Sequence, residues 1–314
     1  MHRSPCIVSI NRKPLIMRAQ DLKGIFPALP TPLKSDGTPD LDALGELIER
    51  NLAAGATGLV PMGGTGEFTA LSPEIRIAVV RHTVEVAKGA VPVVPGVLST
   101  GFADAVDIGN AFRSVGADGI MLVTPFYVVP SQKGVIDYFH AYRAAVDAPL
   151  VYYDIPARTG LVSKPETIAA LADDGTIIGM KVCNTDTHYF NCLADTLDGR
   201  IALMSGDDMM YAVHVMHGAN GGVLASAPML PAYWVRIHNT LAQGNFAEGI
   251  ALHRKLLPIF RALFNEVNPG PLKTMITRLG HPMGPVSLPL ASPGMETLAL
   301  IDTAVDIVSR ESLA

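Results

Sequence analysis

The chain has 314 residues and a formal charge of −5, with 24 Lys and Arg against 29 Asp and Glu. This mild acidity, without a basic block, argues against nucleic acid as the main partner, and no apolar run of about 18 residues suggests a membrane span. Three cysteines make a poor disulfide framework for a chain of this length, so the composition favours a reducing, cytoplasmic compartment.

The first 22 residues read as an N-terminal extension. Four basic residues are scattered through it, and its longest apolar patch is too short for the core of a secretory signal. We expect a loose segment that precedes the fold. Met17 is a second candidate start of the natural chain.

From Lys23 onward one pattern recurs eight times: a short apolar run, a turn, and a segment with helical periodicity. The apolar runs are GIFPALPTP (24–32), GLVPMGGTGE (58–67), PVVPGVLST (92–100), GIMLVTPFY (119–127), PLVYYDIP (149–156), TIIGMKVC (176–183), IALMSGDD (201–208) and GGVLAS (221–226). Apolar strands that alternate with amphipathic helices predict a parallel sheet covered by helices. Eight such units fit a closed (β/α)8 TIM barrel, which we assign to residues 23–244.

Three more helical segments follow the barrel, at 246–264, 270–280 and 292–312, and no strand accompanies them. We therefore assign residues 245–314 to a C-terminal helical appendage. No stretch of linker composition separates it from the barrel as an independent domain.

The run TIIGMKVC places one lysine, Lys181, inside what reads as a buried strand. Lysine is rarely buried without a reason. One reading is structural: the amine reaches water, or pairs with a carboxylate such as Asp207 or Glu67. The other is chemical, because burial in a barrel favours the neutral amine, which attacks a ketone to form an imine. The strand ends of a barrel are where active sites lie.

Two neighbouring strand ends add groups that suit imine chemistry. Tyr153 carries a phenol that can donate and accept a proton, although a packed core tyrosine would look the same in sequence. Thr65 lies in the loop GGTGE (63–67), whose backbone N–H groups could hold a carboxylate. A tight strand-to-helix turn is the structural alternative for this loop, and its spacing matches neither a dinucleotide motif nor a P-loop.

Five motifs follow one another at successive strand ends: GGTGEF, TPFYVVP, YYDIPARTG, IIGMK and SGDD. By these motifs the chain resembles the dihydrodipicolinate synthase and N-acetylneuraminate lyase family of class I aldolases. The resemblance runs from about Lys23 to near the C-terminus and includes NPGPLKTMITRLG in the appendage. It implies a Schiff-base lyase that acts on pyruvate or a related 2-oxo acid. It also implies a homotetramer built as a dimer of dimers, and no metal or organic cofactor.

The resemblance implies the central catalytic roles. Lys181 matches the lysine that forms the imine with the 2-oxo acid, and Tyr153 matches the tyrosine that moves protons at that imine. Thr65, with the backbone of Gly64 and Gly66, matches the loop that holds the carboxylate of the oxo acid.

Four further positions match residues that surround the imine in the family. Tyr127 matches a tyrosine that completes a proton relay from a neighbouring subunit. Arg158 matches the arginine at the pocket mouth that receives the second substrate's carboxylate in the synthases. Gly206 and Val223 match positions whose backbone lines the site of bound pyruvate.

The chain also departs from the family pattern. Gly64 stands where the synthases carry a threonine, which removes a hydroxyl that links the two relay tyrosines. Asp154 stands where asparagine is usual, and Val182 where glutamate is common. Arg158, which the neuraminate lyases lack, favours a substrate with a distal carboxylate. Cys183 is expected to line the pocket, because it lies two residues after the lysine on the same side of the strand, without a redox role.

Many synthases carry an effector site for lysine, which we expect to be absent here. The matching positions are Phe68, Pro73, Arg76, Thr100 and Phe126. They lack the polar and histidine groups that would hold an amino acid. We therefore expect lysine to leave the activity unchanged.

Two pairs of side chains with metal-binding chemistry have simpler structural readings. His214 and His217 are spaced for one helix face, but no third ligand is in register. Asp207 and Asp208 could bind Mg²⁺, but capping of the helix that follows them explains the pair better. We expect no metal site.

Three functions remain open on the sequence alone. The first is a dihydrodipicolinate synthase-like lyase that makes or breaks a carbon–carbon bond next to pyruvate. The second is a dehydratase or aldolase that uses the same imine on a 2-keto-3-deoxy sugar acid. The third is a non-catalytic protein that binds an oxo acid and has lost turnover, a minor alternative that rests on the hydroxyl missing at Gly64.

Overall fold

The computed structural model describes residues 17–311 and 313. Seven parallel strands form one curled sheet in the order β1-β7-β6-β5-β4-β3-β2. The strands are β1 (Gly24–Pro27), β2 (Gly96–Val97), β3 (Ile120–Val123), β4 (Leu150–Asp154), β5 (Gly179–Val182), β6 (Ala202–Ser205) and β7 (Gly221–Leu224). Each of them falls within one of the apolar runs, and the fold is consistent with the predicted (β/α)8 barrel.

The remaining run, GLVPMGGTGE, closes the sheet through a few isolated contacts. Val60 accepts a hydrogen bond from Leu29 N and donates its own N–H to the carbonyl of Pro27, while Leu59 is bridged to Val93 on the other side. At Pro61 the ladder lacks one hydrogen bond, since proline has no N–H to donate, although the Pro61 carbonyl accepts from Gly96 N. This eighth position is therefore too irregular to form a full strand.

Helices cover the outside of the sheet and continue beyond it. They are α1 (Leu41–Ala53), α2 (Pro73–Ala87), α3 (Phe102–Ser114), α4 (Gln132–Ala145), α5 (Pro156–Thr159), α6 (Pro165–Asp173), α7 (Thr187–Leu197), α8 (Tyr211–Met216), α9 (Pro231–Ala242), α10 (Phe246–Arg254), α11 (Leu257–Phe264), α12 (Gly270–Arg278) and α13 (Met295–Arg310). Among the described residues, no helix is apolar and long enough to span a bilayer.

The prediction of one helix over 246–264 is wrong. The segment divides into α10 and α11, and Pro258 occupies the first turn of α11. A proline there is compatible with a helix start but not with a continuous helix interior. The short helix α5 is an addition, because the sequence pattern predicts no helix at these residues.

Two layers of buried apolar side chains form the core of the barrel. The larger lies between strands and helices, and it includes Tyr152 and the buried Trp234. The smaller fills the inside of the barrel and includes Phe26, Tyr153 and Val223. Because side chains alternate along a strand, Tyr152 points outward and Tyr153 points into the barrel.

The described part of the N-terminal extension packs against the barrel. Met17 and Leu22 are buried in the inner apolar layer. Leu22 lies so close to β5 that a side chain at Gly179 would meet its Cδ1 at 2.4 Å. Residues 17–22 therefore close one end of the barrel, and the prediction of a loose extension over residues 1–22 is wrong for this part of it. Residues 1–16 lie outside the described residues.

Candidate active site

Lys181 and Tyr153 are direct neighbours on adjacent strands. The register of β4 and β5 pairs Tyr153 with Lys181, so both side chains point to the inside of the barrel. The Lys181 Nζ lies 4.4 Å from the centroid of the Tyr153 ring, and Lys181 is only 7% exposed. An amine and a phenol are thus brought together near the carboxyl ends of the strands.

The structural reading of Lys181 is not supported. Glu67 forms its ion pair with Lys273, and one carboxylate oxygen of Asp207 accepts a hydrogen bond from Met210 N. Among the described residues, no carboxylate forms an ion pair with the Lys181 amine. The amine instead faces a cavity of about 420 Å³ that Lys181 and Tyr153 help to line.

Burial is the largest single influence on the pKa of Lys181, and it acts to lower it. The charges of Tyr153 and Cys183, the hydrogen bond with Tyr153 and the charge of Asp208 act in the opposite direction and together outweigh burial. The pKa of Lys181 is therefore raised, whereas the sequence predicts that it is lowered. Burial also raises the pKa of Tyr153 and raises that of Cys183 to about 12. Because the pKa of Lys181 is raised, its amine has to release a proton before it can attack a ketone.

The loop GGTGE lies beside this pair and lines the same cavity with Gly64 and Thr65. The N–H of Gly66 is donated to the carbonyl of Gly63, inside the turn. Gly66 therefore contributes close packing, because a Cβ there would lie 2.7 Å from the backbone nitrogen of Met62. Within the described residues, the N–H groups of Gly64 and Thr65 have no acceptor, so they remain to bind a carboxylate.

Residues of the C-terminal appendage contact this loop, and the sequence does not predict these contacts. Asn268, between α11 and α12, donates from Nδ2 to Thr65 Oγ1 at 2.8 Å. Lys273, on α12, donates to Glu67 Oε1 at 2.9 Å, and both of these side chains are buried. The only signal in the sequence is the motif NPGPLK, which contains both Asn268 and Lys273 but does not show what they contact.

Arg158 lies at the exposed mouth of the cavity, in the one-turn helix α5. Its Nη1 is 3.1 Å from the point that a Cβ on Gly64 would occupy. The missing side chain at Gly64 thus makes room for the guanidinium against the loop. The charge of Arg158 also acts to lower the pKa of Tyr153, against the larger effect of burial.

Gly206 and Cys183 line the cavity, whereas Val223 does not. A Cβ at Gly206 would lie 2.3 Å from Cys183 Sγ and 2.9 Å from Lys181 Cε. Any residue other than glycine would therefore clash with the side chain of Lys181 in its present position. The Cys183 thiol donates to the carbonyl of Gly206 at 3.2 Å. Val223 is buried in the inner apolar layer, and Ala225, further along the chain, lines the cavity instead.

Tyr127 does not join the cavity of its own chain. It is 93% exposed and has a φ of 72°, a left-handed conformation that is uncommon for a residue with a bulky side chain. Val128 and Val129 beside it are also exposed. The relay role from a neighbouring subunit, which the resemblance implies for Tyr127, stays a prediction.

Comparison with known proteins gives the family. The model of the dihydrodipicolinate synthetase family matches residues 21–305. The chain belongs to this family. The 4-hydroxy-tetrahydrodipicolinate synthase of Methanothrix thermoacetophila is 36% identical over 270 residues, which cover 86% of this chain and 91% of that protein.

Solved structures of the dihydrodipicolinate synthetase family agree with the fold. The 4-hydroxy-tetrahydrodipicolinate synthase of Methylacidiphilum fumariolicum superposes with a TM-score of 0.89 at 30% identity, covering 92% of this chain and 97% of that one. The chloride-inhibited dihydrodipicolinate synthase of Acinetobacter baumannii, complexed with pyruvate, gives a TM-score of 0.89 at 28% identity, covering 92% and 99%. Both similarities extend over the barrel and the C-terminal helices.

A second cavity, of about 780 Å³, lies at the expected effector positions of this family. The Arg76 guanidinium lies 4.0 Å from the centroid of the Phe68 ring. Asp104 and Asp107 also line the cavity. They add two carboxylates to the five positions that the sequence assigns to the effector site. Insensitivity to lysine stays a prediction.

His214, Asp207 and Asp208, three residues of the two pairs considered as metal ligands, have partners in the structure. His214 is buried, stacks on Phe190 and bonds through Nδ1 to Ser205 Oγ at 2.8 Å; burial lowers its pKa to about 4. The predicted helix cap is wrong, because α8 begins at Tyr211 and its N-cap, Met210, has no side-chain cap. Asp207 instead accepts from Met210 N in the turn before α8, and Asp208 accepts from Ser226 N and Oγ. Among the described residues, no group of three or more His, Cys, Asp or Glu side chains is placed to hold a metal.

Proposed function

We propose that this protein condenses pyruvate, or a related 2-oxo acid, with an aldehyde that carries a distal carboxylate. The observation that carries the proposal is the Lys181 amine, which is buried, adjacent to Tyr153, and unpaired with any carboxylate of the described residues. Its relatives' name, 4-hydroxy-tetrahydrodipicolinate synthase, supports this reaction class. No part of the reaction requires a metal or an organic cofactor.

The first half of the reaction belongs to Lys181, Tyr153 and Thr65. The neutral amine attacks the keto carbon of the oxo acid, and Tyr153 supplies the proton with which the carbinol oxygen leaves as water. The imine that remains withdraws electrons, so the neighbouring methyl group loses a proton and becomes an enamine carbon. The Thr65 hydroxyl and the N–H groups of its loop hold the carboxylate during these steps.

The second half needs an electrophile held at the cavity mouth. The enamine carbon attacks the aldehyde carbon, whose oxygen takes a proton, and Arg158 binds the distal carboxylate of that substrate. The exposed segment Tyr127–Val129 would then lie against a second copy of the chain, with Tyr127 completing its proton relay. We propose on this basis a homotetramer of paired dimers, and the composition favours the cytoplasm.

The test begins with pyruvate and sodium borohydride, followed by intact mass. We expect one reduced pyruvyl adduct on the unaltered protein and none on Lys181→Ala, which should also lose turnover while it keeps its thermal unfolding transition. Lys133→Ala, at an exposed lysine, is the control and should label normally. Labelling or turnover that persists in Lys181→Ala would contradict the mechanism.

The choice of second substrate separates the alternatives. Aspartate semialdehyde with pyruvate tests the synthase, and 2-keto-3-deoxy sugar acids test the dehydratase or aldolase. We expect the fastest turnover with aspartate semialdehyde, because the Arg158 guanidinium at the cavity mouth would attract a distal carboxylate. An adduct without turnover on any of these substrates would instead identify a binding protein that lacks the relay hydroxyl absent at Gly64.

A further inference from the structure

The hydroxyl of Thr65 has a fixed partner that determines the direction of its proton. Asn268 Nδ2 donates to Thr65 Oγ1 at 2.8 Å, and an amide nitrogen can only donate. The hydroxyl must therefore accept from Asn268, which leaves its own proton for another acceptor. Among the described residues no acceptor takes that proton, and Thr65 lines the cavity beside Lys181.

The position of the loop backbone does not depend on Asn268. Thr31 Oγ1 donates to the carbonyl of Gly66 at 2.8 Å. The carboxylate of Glu67 is held by Lys273 and by Ser287 N. Loss of the Asn268 amide would therefore free the Thr65 hydroxyl to rotate without releasing the loop that carries it.

We propose that Asn268 is a positioning residue that orients the Thr65 hydroxyl so that it donates to the carboxylate of the bound oxo acid. The inference rests on the proposed function, since it assigns the carboxylate of that substrate to Thr65. It also gives the segment between α11 and α12 a part in substrate binding. Asn268 Oδ1 is buried without a partner among the described residues, so this orientation of the amide leaves one acceptor unsatisfied.

Two substitutions of Asn268 separate orientation from packing. Asn268→Ala removes the donor, and we expect half-saturation by pyruvate to shift upward about 3–10-fold, the effect of one neutral hydrogen bond. Asn268→Asp keeps the shape but reverses the polarity: the carboxylate accepts the Thr65 proton and repels the substrate. We expect a larger shift, on the order of 100-fold at neutral pH, which diminishes at lower pH as the new carboxyl group takes up a proton.

The measurement is the yield of borohydride-trapped adduct as a function of pyruvate concentration, which needs no knowledge of the second substrate. Asn265→Ala is the matched control, because Asn265 bonds to Thr297 on the far side of the same segment. It should bind pyruvate normally. Thermal unfolding of each variant without ligand should stay within a few degrees of the parent.

A double-mutant cycle with Thr65→Val completes the test. If Asn268 acts through the hydroxyl, Asn268→Ala should have little further effect once that hydroxyl is absent. Additive effects, or a weaker defect in Asn268→Asp than in Asn268→Ala, would overturn the inference while the adduct on the unaltered protein upheld the function. If no oxo acid gave an adduct with the unaltered protein, the function and the inference would both fail.

Discussion

Asp154 provides a direct test of how much a buried, unpaired carboxyl group changes the stability of the barrel. It ends β4, next to Tyr153, and is fully buried. Neither of its carboxylate oxygens has a hydrogen-bond partner among the described residues, and burial raises its pKa to about 7. The neighbours that sense its charge are Tyr152, Tyr189 and Cys183, all of them neutral near pH 7. Asp154→Asn replaces the carboxyl group by an amide of the same shape.

The size of the expected change in unfolding free energy follows from the pKa shift of Asp154. The folded protein holds the proton of Asp154 to about pH 7, whereas the unfolded chain releases it near the ordinary value of 3.8. A raised pKa in the folded state gives stability that is complete below pH 3.8 and is lost as pH rises through 7. The shift of about three units corresponds to about 4 kcal/mol in all, of which about 2–3 kcal/mol falls between pH 5 and pH 8.

The assay is urea unfolding of the two proteins at several pH values, because urea does not screen charges. The free energy of unfolding of Asp154→Asn should rise relative to the parent by about 2–3 kcal/mol from pH 5 to pH 8. Other titrating groups are common to both proteins and cancel in this difference. Asp147→Asn, at an exposed carboxylate, should follow the parent throughout. A constant difference between Asp154→Asn and the parent would refute the assignment of a buried, unpaired carboxyl group.

Two further predictions concern the surroundings of the site. Lys273→Met should lower the free energy of unfolding by about 3–5 kcal/mol, because it leaves the carboxylate of Glu67 buried without its cation; the exposed Lys255→Met is the control, and an equal loss in both would contradict the reasoning. Millimolar lysine should leave initial rates unchanged, because Arg76, stacked over Phe68, already places a positive charge in the second cavity. Clear inhibition in a steady-state assay would overturn this expectation.

The barrel could be predicted from the sequence because its signal is local and repeated. Each strand is a short apolar run with a helix after it, so the eight units are visible without any long-range contact. The features that the pattern did not predict depend on single prolines, which restrict the backbone and lack an N–H donor. Pro61 interrupts the hydrogen-bond ladder at the second unit. Pro258 lies at the start of a new helix, although the apolar periodicity predicts one continuous helix over 246–264.

The centre of the site was predictable for a related reason. Lys181 and Tyr153 end adjacent strands, and the parallel register places them side by side. The contacts of Asn268 and Lys273 were not, because they join positions 203 and 206 residues apart. No local pattern indicates which loop a residue in the last helices will reach. The same holds for Gly64, whose effect on Arg158 depends on a side-chain position that only the structure shows.

The contacts of Lys273 also bear on the boundary that the sequence analysis draws at residue 245. The Lys273 amine donates to the carbonyls of Thr31 and Pro285 as well as to Glu67. A barrel cut off at residue 244 would keep the buried carboxylate of Glu67 and lose the cation that compensates it, which is strongly unfavourable. It would also lose the donor to Thr65. The C-terminal helices therefore complete the barrel both energetically and chemically, and we expect the two parts to unfold as one cooperative unit.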